Sequence, residues 1–222
     1  MQFQHLKALL QKEFIMEWRQ KFAINGILLY VASTVFVCYL SFFTQNAKVE
    51  PETWNALFWI IMLFTATNAV AKSFMQESEG RMLYYYSIAS PVTVLLSKII
   101  YNTFLMLALG LIAYSFYSVV MGNPVLNHSL FLLNLFIGAI GFSVTLTMVS
   151  SIASKARNSG TLMAILGFPV MIPILLMTMK VSSNALEGLS IDSSINEIIA
   201  LSSINVIVVV VSLLLFPYLW RS

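Results

Sequence analysis

Residues 129–153, SLFLLNLFIGAIGFSVTLTMVSSIA, form an uncharged run of 25 residues that decides the fold. The hydrocarbon core of a bilayer is about 30 Å thick, and an α-helix needs about 20 apolar residues to cross it. Five other stretches of 18 to 23 residues also contain no Lys, Arg, Asp or Glu. The six stretches predict transmembrane helices at residues 22–43, 54–71, 99–121, 129–153, 161–179 and 198–219.

The composition of the whole chain also indicates a membrane protein. Of its 222 residues, 59% are hydrophobic and 9% are charged, whereas soluble domains carry roughly 25% charged residues. A chain of this length cannot bury such an apolar excess in one water-soluble core. The mean hydropathy of +0.86 therefore excludes a soluble enzyme, a disordered protein and, despite a pI of 9.0, a nucleic-acid-binding protein. We predict an all-α integral membrane protein with six transmembrane helices.

Basic residues are distributed unequally between the predicted loops. Cytoplasmic loops of membrane proteins carry an excess of Lys and Arg. If the N-terminus is inside, only Lys48 and Lys180 lie in outer segments. The other ten basic residues then lie in cytoplasmic segments: Lys7, Lys12, Arg19, Lys21, Lys72, Arg81, Lys98, Lys155, Arg157 and Arg221. We therefore expect both termini in the cytoplasm. The outer segments also carry the acidic residues Glu50, Glu52, Glu187, Asp192 and Glu197.

Residues 1–21 predict an amphipathic helix that lies on the inner membrane surface. Apolar side chains recur at helical spacing on one side, and polar side chains lie on the other. The apolar residues are Phe3, Leu6, Leu10, Phe14 and Trp18, and the polar ones are Lys12, Arg19 and Gln20. The alternative is a plain basic segment that only fixes the topology.

Signals of catalysis or cofactor binding are missing from the sequence. It contains no phosphate-binding loop of the G-x-x-x-x-G-K-[ST] type and no H-E-x-x-H motif. Its only cysteine is Cys38, and its two histidines, His5 and His128, are predicted on opposite sides of the membrane. We expect no catalytic residue, no metal site and no cofactor bound by this chain. Any energy for transport must then come from a partner.

The long cytoplasmic loop, residues 72–98, contains the segment QESEGRMLYYYSIASP at residues 76–91. Its acidic start, its glycine and the Met82-Leu83 pair suggest a short amphipathic helix, and three tyrosines suit the membrane interface. Pro91 prevents this helix from continuing into the third span. A cytoplasmic partner is one reading of such a helix, and a solvated loop with an aromatic anchor is the other.

Two of the spans have unusual composition. Gly167, Pro169 and Pro173 in the fifth span predict a bent or unwound helix, because each proline removes a backbone hydrogen bond. They indicate a hinge or the lining of a path, although Pro and Gly are generally frequent in membrane helices. The fourth span carries small residues that predict close helix packing, namely Gly138, Gly141, Ser143, Thr145 and Thr147. Asn68 and Asn102 are expected to form hydrogen bonds between helices.

The order of these features resembles the haem exporter protein B family (CcmB). The resemblance rests on FIMEWRQKF at residues 14–22, AKSFMQESEGRMLYYYSIASPVTVLLSKII at 71–100, and GAIGFSVTLTMVSSIASKARNSGTLMAILGFPVMIPILL at 138–176. It implies a six-helix permease of the ABC-2 type in the bacterial inner membrane. The alternative is a related ABC-2-type permease that exports a lipid, a glycan or a drug.

The resemblance also implies partners and a role. The ATPase subunit CcmA would bind ATP and Mg, and CcmC, CcmD and the periplasmic chaperone CcmE would handle haem. ATP hydrolysis would then serve the release of the haem-loaded chaperone. The resemblance assigns ATPase docking to a coupling helix formed by Gln76, Glu77, Ser78, Glu79, Gly80, Arg81, Met82 and Leu83. It assigns a second cytoplasmic contact to Lys155, Arg157, Asn158 and Gly160.

Overall fold

The computed structural model describes residues 2–19, 21–44, 49–70, 73–74, 90–155 and 159–221. The regular structure in these ranges is helical, with seven α-helices and one 3-10 helix. The α-helices are α1 (Gln2–Arg19), α2 (Lys21–Phe43), α3 (Pro51–Val70), α4 (Pro91–Met121), α5 (His128–Ala153), α6 (Ser159–Leu186) and α7 (Ile195–Arg221). The 3-10 helix, Ile191–Ser194, leads into α7.

Among the described residues, six helices, α2 to α7, are long and apolar enough to cross a bilayer, which confirms the predicted number of spans. They run up and down in alternation, and contacts between loops show which ends lie together. The Asn127 amide, before α5, donates to the Ala185 carbonyl of α6 at 2.9 Å. We call this the acidic end of the bundle, since Glu187 and Asp192 follow nearby in sequence. The opposite end, where α4 and α6 begin, is called the basic end.

Several helices are longer than the uncharged stretches in the sequence. The third span was expected to start at residue 99, but α4 begins at Pro91, where the Ser90 hydroxyl oxygen accepts from the Thr93 amide at 3.3 Å. The fifth was expected to end at 179, but α6 continues past Lys180 to Leu186. A charged residue therefore marks where a helix leaves the hydrocarbon core, but the helix itself continues beyond that residue. The 31 residues of α4 extend about 46 Å, well beyond a core of about 30 Å.

Helix α5 occupies the centre of the bundle. In an apolar 18-residue stretch of this helix, 72% of the residues are buried, whereas 17% are buried in the corresponding stretch of α2. Helix α5 packs on α3, α4, α6 and α7. The predicted small residues explain the tight approach. A Cβ atom at Gly138 would lie 2.9 Å from Thr178 Cγ2 and 3.1 Å from Trp59 Cη2. A Cβ at Gly141 would lie 2.6 Å from Asn205 Oδ1.

Hydrogen bonds between buried side chains join α3, α5 and α6. The Ser182 hydroxyl oxygen accepts from Trp59 Nε1 and from Asn134 Nδ2, each at 2.7 Å. Asn134 Nδ2 also donates to the Thr178 carbonyl at 2.8 Å, and Asn55 Nδ2 donates to the Met179 carbonyl at 2.8 Å. In membranes such bonds contribute about 0.6–2 kcal/mol each. They fix α6 against α3 at the acidic end.

Aromatic side chains fill the same end of the bundle. Trp54 Nε1 donates to the Gly122 carbonyl at 2.9 Å, and the Tyr117 hydroxyl donates to the Trp54 carbonyl at 3.2 Å. Gly122 ends α4 with φ of +81°, which a residue with a side chain rarely adopts. Phe58 and Phe131 pack beside this group with ring centroids 5.4 Å apart. The acidic end is therefore a rigid aromatic core.

We expect Gly138→Ala to lower the stability of the folded chain by about 1–3 kcal/mol, because the added methyl group overpacks the contact with Thr178 and Trp59. Thermal unfolding of the detergent-purified chain measures the loss. The matched control is Gly26→Ala on α2, where a Cβ meets nothing within 4 Å. That control should be unchanged or more stable, since alanine favours helix. Equal effects of the two variants would contradict the close-packing role of Gly138.

Candidate functional site

The predicted coupling helix, Gln76 to Leu83, lies outside the described residues, and so do Arg157 and Asn158 of the predicted second contact. The residues that lead into the coupling helix are described. Ser73 and Phe74 form a turn just after α3, and the Ser73 amide donates to the Val70 carbonyl at 3.0 Å. The candidate site is therefore built from the contacts of this turn.

Phe74 is fixed on the bundle by two helices. Its side chain is 2% exposed, and its ring lies 5.3 Å from the ring of Phe216 on α7. Its backbone amide donates to the Ser150 hydroxyl oxygen on α5 at 3.1 Å. The turn that precedes the predicted coupling helix in sequence is thus attached to the last turns of α5 and α7.

Lys98 connects the same turn to two more helices. This α4 residue is 3% exposed, although it carries a charge. Its Nζ donates to the Ser73 carbonyl at 2.8 Å and lies 3.4 Å from Glu13 Oε1 of α1. The ammonium group also lies 5.1 Å from the centre of the Phe74 ring. A buried charge is costly unless it is paired and hydrogen-bonded, and these contacts supply that compensation.

We call this group the Lys98 cluster. It consists of Glu13, Ser73, Phe74, Lys98, Ser150 and Phe216. The cluster joins α1, α4, α5 and α7 to the turn that precedes the predicted coupling helix. Because its members are packed and directionally bonded, a displacement of this turn moves four helices together or breaks several contacts at once.

Two further polar contacts continue from the cluster along α4 and α5. Asn102 Nδ2 donates to the Thr147 hydroxyl oxygen at 2.8 Å, and both side chains are buried. The hydroxyl oxygens of Thr103 and Ser143 lie 2.5 Å apart. The expected interhelical hydrogen bond of Asn102 is confirmed. These bonds join α4 to the central helix one turn beyond Lys98.

Helix α1 is docked on α4 through aromatic contacts. The ring of Phe14 meets the rings of Tyr101 and Phe104 edge-on, at centroid distances of 5.1 and 5.4 Å. Leu9, which is not part of the predicted apolar stripe, is 8% exposed. The helix therefore packs against the bundle with a face that includes Leu9 and Glu13. Its location on a membrane surface stays a prediction.

The described part of the second contact is open to the surroundings. Lys155 lies in the turn after α5 and is exposed. Gly160, the second residue of α6, is also exposed, and a Cβ there would meet nothing within 4 Å. Packing within the chain therefore does not require glycine at position 160, and a role in partner contact stays a prediction.

The predicted hinge lies in a helix that does not unwind. Helix α6 continues through Pro169 and Pro173, and both prolines are exposed on the bundle surface. Gly167 is buried instead, and a Cβ there would lie 3.7 Å from Val149 Cγ1, an ordinary contact distance. The prolines thus lie away from the face that packs on α5. Hinge motion stays a prediction.

The sequence patterns do not single out Lys98, Glu13 and Phe74. The predicted third span begins at residue 99, which places Lys98 in the preceding loop. A signal was present: Lys98 interrupts the apolar run VLLSKIIY at residues 94–101, seven residues after Pro91. An ionisable residue within a membrane helix needs a partner. The identity of that partner depends on α1, which is distant in sequence.

Metal-binding groups are not found among the described residues, where no three His, Cys, Asp or Glu side chains lie close enough to hold an ion. His128, at the start of α5, is exposed, and its Nε2 lies 3.1 Å from Asn123 Nδ2. This neighbour makes His128 part of a polar group at the acidic end.

Comparison with known proteins identifies a family. A family model described as "CcmB protein" matches residues 4–218, nearly the whole chain. No curated protein matches the chain. The match reaches into all six candidate spans and confirms the resemblance drawn from residues 14–22, 71–100 and 138–176.

Lys98→Met should destabilise the chain and loosen α1. It removes the bonds to the Ser73 carbonyl and to Glu13 while keeping the apolar stem, for a loss of about 1–3 kcal/mol. Unfolding in detergent measures the loss, and amide hydrogen exchange of α1 should become faster. The control is Lys180→Met, whose Nζ pairs with Glu197 at 2.6 Å but is 62% exposed. Unchanged exchange of α1 in Lys98→Met would refute the cluster as its attachment.

Proposed function

Because the chain belongs to the CcmB family, the permease of the cytochrome c maturation ABC transporter, we propose that it transmits nucleotide-driven movement from an ATPase subunit into the membrane. Family members are ABC-2-type permease subunits and are not catalytic, so that ATP hydrolysis belongs to a separate subunit. The observation that carries the proposal is the Lys98 cluster. It attaches the turn before the coupling helix to α1, α4, α5 and α7.

Docking of the ATPase is proposed for Gln76 to Leu83. Ser73 and Phe74, only two residues before this segment, are held by buried contacts. A force on this segment is therefore transmitted to the helices through a very short connection. Lys155, Arg157, Asn158 and Gly160 are proposed as the second contact, and the described members of this set, Lys155 and Gly160, are exposed as such a contact requires.

The movement would pass to the acidic end through the central helix. Helix α5 contacts the cluster through Ser150, and it meets α4 through Thr147 and Ser143. Helices α5 and α6 are in turn joined through Asn134 and Ser182. A displacement of α5 at the basic end therefore also moves its acidic end, because close-packed helices move as units more readily than they deform.

We propose that α6 bends at Gly167, Pro169 and Pro173 during this movement. A proline lacks the N–H that would close a helical hydrogen bond, so two prolines four residues apart reduce the cost of bending there. Both prolines lie on the exposed side of α6, where a change in curvature needs no repacking against α5. The tight contact of Gly138 with Thr178 would act as the fixed point near the acidic end.

The chemical partners in this proposal follow from the family. CcmA would bind ATP and Mg, while CcmC, CcmD and the chaperone CcmE would handle haem, and this chain would bind no cofactor of its own. The movement at the acidic end would serve release of the haem-loaded chaperone. The alternative function, export of a lipid, glycan or drug by an ABC-2-type permease, is distinguished by deleting this chain. We expect the deletion to abolish c-type cytochromes and to leave lipid and glycan export normal.

Charge reversal of the coupling helix tests the docking step. The double variant Glu77→Lys and Glu79→Lys should abolish co-purification of the ATPase while membrane insertion stays normal, since it replaces two carboxylates at the proposed contact. The matched control reverses Glu50 and Glu52, which have the same type and spacing and are exposed at the acidic end. Normal recovery of the ATPase with the first variant would remove the docking assignment.

Labelling of single cysteines tests the proposed topology, in which both termini and the basic end are cytoplasmic. Cys38→Ser gives a cysteine-free chain, because Cys38 is its only cysteine. In intact cells whose outer membrane is permeabilised, a membrane-impermeant maleimide should label Glu187→Cys and not Lys155→Cys. Both positions are exposed, so burial does not limit their labelling. The reverse pattern would invert the orientation and remove the cytoplasmic docking site.

A further inference from the structure

A groove separates α3 from α6 in the half of the bundle near the basic end. The two helices are joined near the acidic end by the bonds of Asn55 and Trp59. Further along they enclose a groove of 360 Å³. Leu146 of the central helix forms part of its lining, together with Leu63 of α3 and Met163 of α6.

The groove opens towards the outside of the bundle. Phe64 on α3 and Phe168 on α6 belong to its lining and are 49% and 60% exposed. Both helices are candidate membrane spans, so the opening faces the hydrocarbon of the bilayer. Whatever fills the groove must therefore be apolar and must enter from the lipid side.

The lining becomes polar at one end only. Thr67 and Asn68 line the groove within three residues of the end of α3 at Val70, which is about 5 Å along the helix axis. Asn68 was expected to bond another helix, but it is exposed, and among the described residues its carboxamide has no hydrogen-bond partner. A carboxamide at the edge of the hydrocarbon needs a polar partner. The groove is thus apolar along most of its length and polar at one end, as an amphiphilic ligand is.

The length of the groove matches one leaflet. On α6 its lining extends from Gly160 to Met171, which lie eleven positions apart and therefore about 16 Å apart along the axis. Half of a hydrocarbon core of about 30 Å is about 15 Å. With its polar end beside Asn68 placed at the headgroup level, a groove of this length would reach the middle of the membrane.

A single flexible hydrocarbon chain fits the length and the apolar lining of the groove together. Its polar group would lie at the one polar end of the lining, beside Thr67 and Asn68.

We propose that this groove binds one acyl chain of a phospholipid, with the headgroup beside Thr67 and Asn68. The basic end, with exposed Lys155 in the turn before α6, favours an anionic headgroup. Lipid binding is independent of the coupling role proposed above. It nevertheless bears on motion, because Gly167 lines the groove and α6 cannot close on α3 while the chain is in place.

A photoreactive lipid tests the site on the full chain in nanodiscs. The probe is phosphatidylglycerol with a diazirine in the middle of one acyl chain, and adducts are located by peptide mass spectrometry. We expect adducts on the groove-lining residues of α3 and α6 that saturate at one lipid per chain. The same probe on phosphatidylcholine should give several-fold fewer adducts, and equal labelling would overturn the headgroup assignment.

Two neighbouring positions on α6 provide the decisive comparison. Ala164→Phe fills the groove, because Ala164 belongs to its lining, and should reduce the adducts by about tenfold. Ile165→Phe is the control, since Ile165 is 62% exposed and lies outside the lining, and should leave the adducts unchanged. Both variants must unfold at the wild-type temperature, and if Ala164→Phe does not fold, the smaller Ala164→Leu replaces it as the filling variant.

Three outcomes would overturn the proposal. One is a spread of adducts over all lipid-facing residues, Ile165 included, that the filling variant does not change, which identifies bulk lipid only. The second is saturable labelling confined to other surfaces. The third is unchanged labelling with loss of self-association or of partner subunits in the filling variant, which identifies a protein side chain as the occupant.

Discussion

The close approach of α5 to its neighbours at Gly138 is the contact on which the bundle depends. In lipid, apolar side chains gain nothing by leaving solvent, so helices associate through tight packing and hydrogen bonds. Gly138 allows both, because Trp59 and Thr178 can pack directly against a residue without a side chain. Trp59 donates a hydrogen bond to Ser182, and the Thr178 carbonyl accepts one from Asn134, so these bonds lie close to the same contact. The aromatic core beside it then makes the acidic end rigid.

The basic end is held differently, through the buried charge of Lys98. That charge is compensated by the Ser73 carbonyl and the Phe74 ring, which belong to one turn, and by the Glu13 carboxylate of α1. Such a cluster is specific because a small shift leaves the ammonium group without partners. The acidic end is held by close packing, and the basic end is held by the ion pair and hydrogen bond of Lys98. This arrangement suits a subunit that receives force at its basic end and delivers movement at its acidic end.

The groove between α3 and α6 lies between these two regions. Near Asn55 and Trp59 the helices are bonded together, and beyond them no such bonds line the groove. Gly167 faces this space, while Pro169 and Pro173 lie on the exposed side of the same helix. The part of α6 with the weakest internal hydrogen bonding is thus also the part beside a lipid-filled space, where movement displaces an acyl chain and not a packed side chain.

The sequence by itself determined the membrane class, the six spans, the central role of small residues in α5 and the family, because these depend on local composition and on residue order. It placed helix ends less well, since a helix continues past charges such as Lys180 once it leaves the hydrocarbon. Only the tertiary structure decided that Lys98 meets Glu13 and Ser73, that Asn102 bonds Thr147 while Asn68 faces a groove, and that Pro169 and Pro173 point away from α5. Each of these depends on the rotation of one helix against another, which periodicity along a uniformly apolar span does not specify.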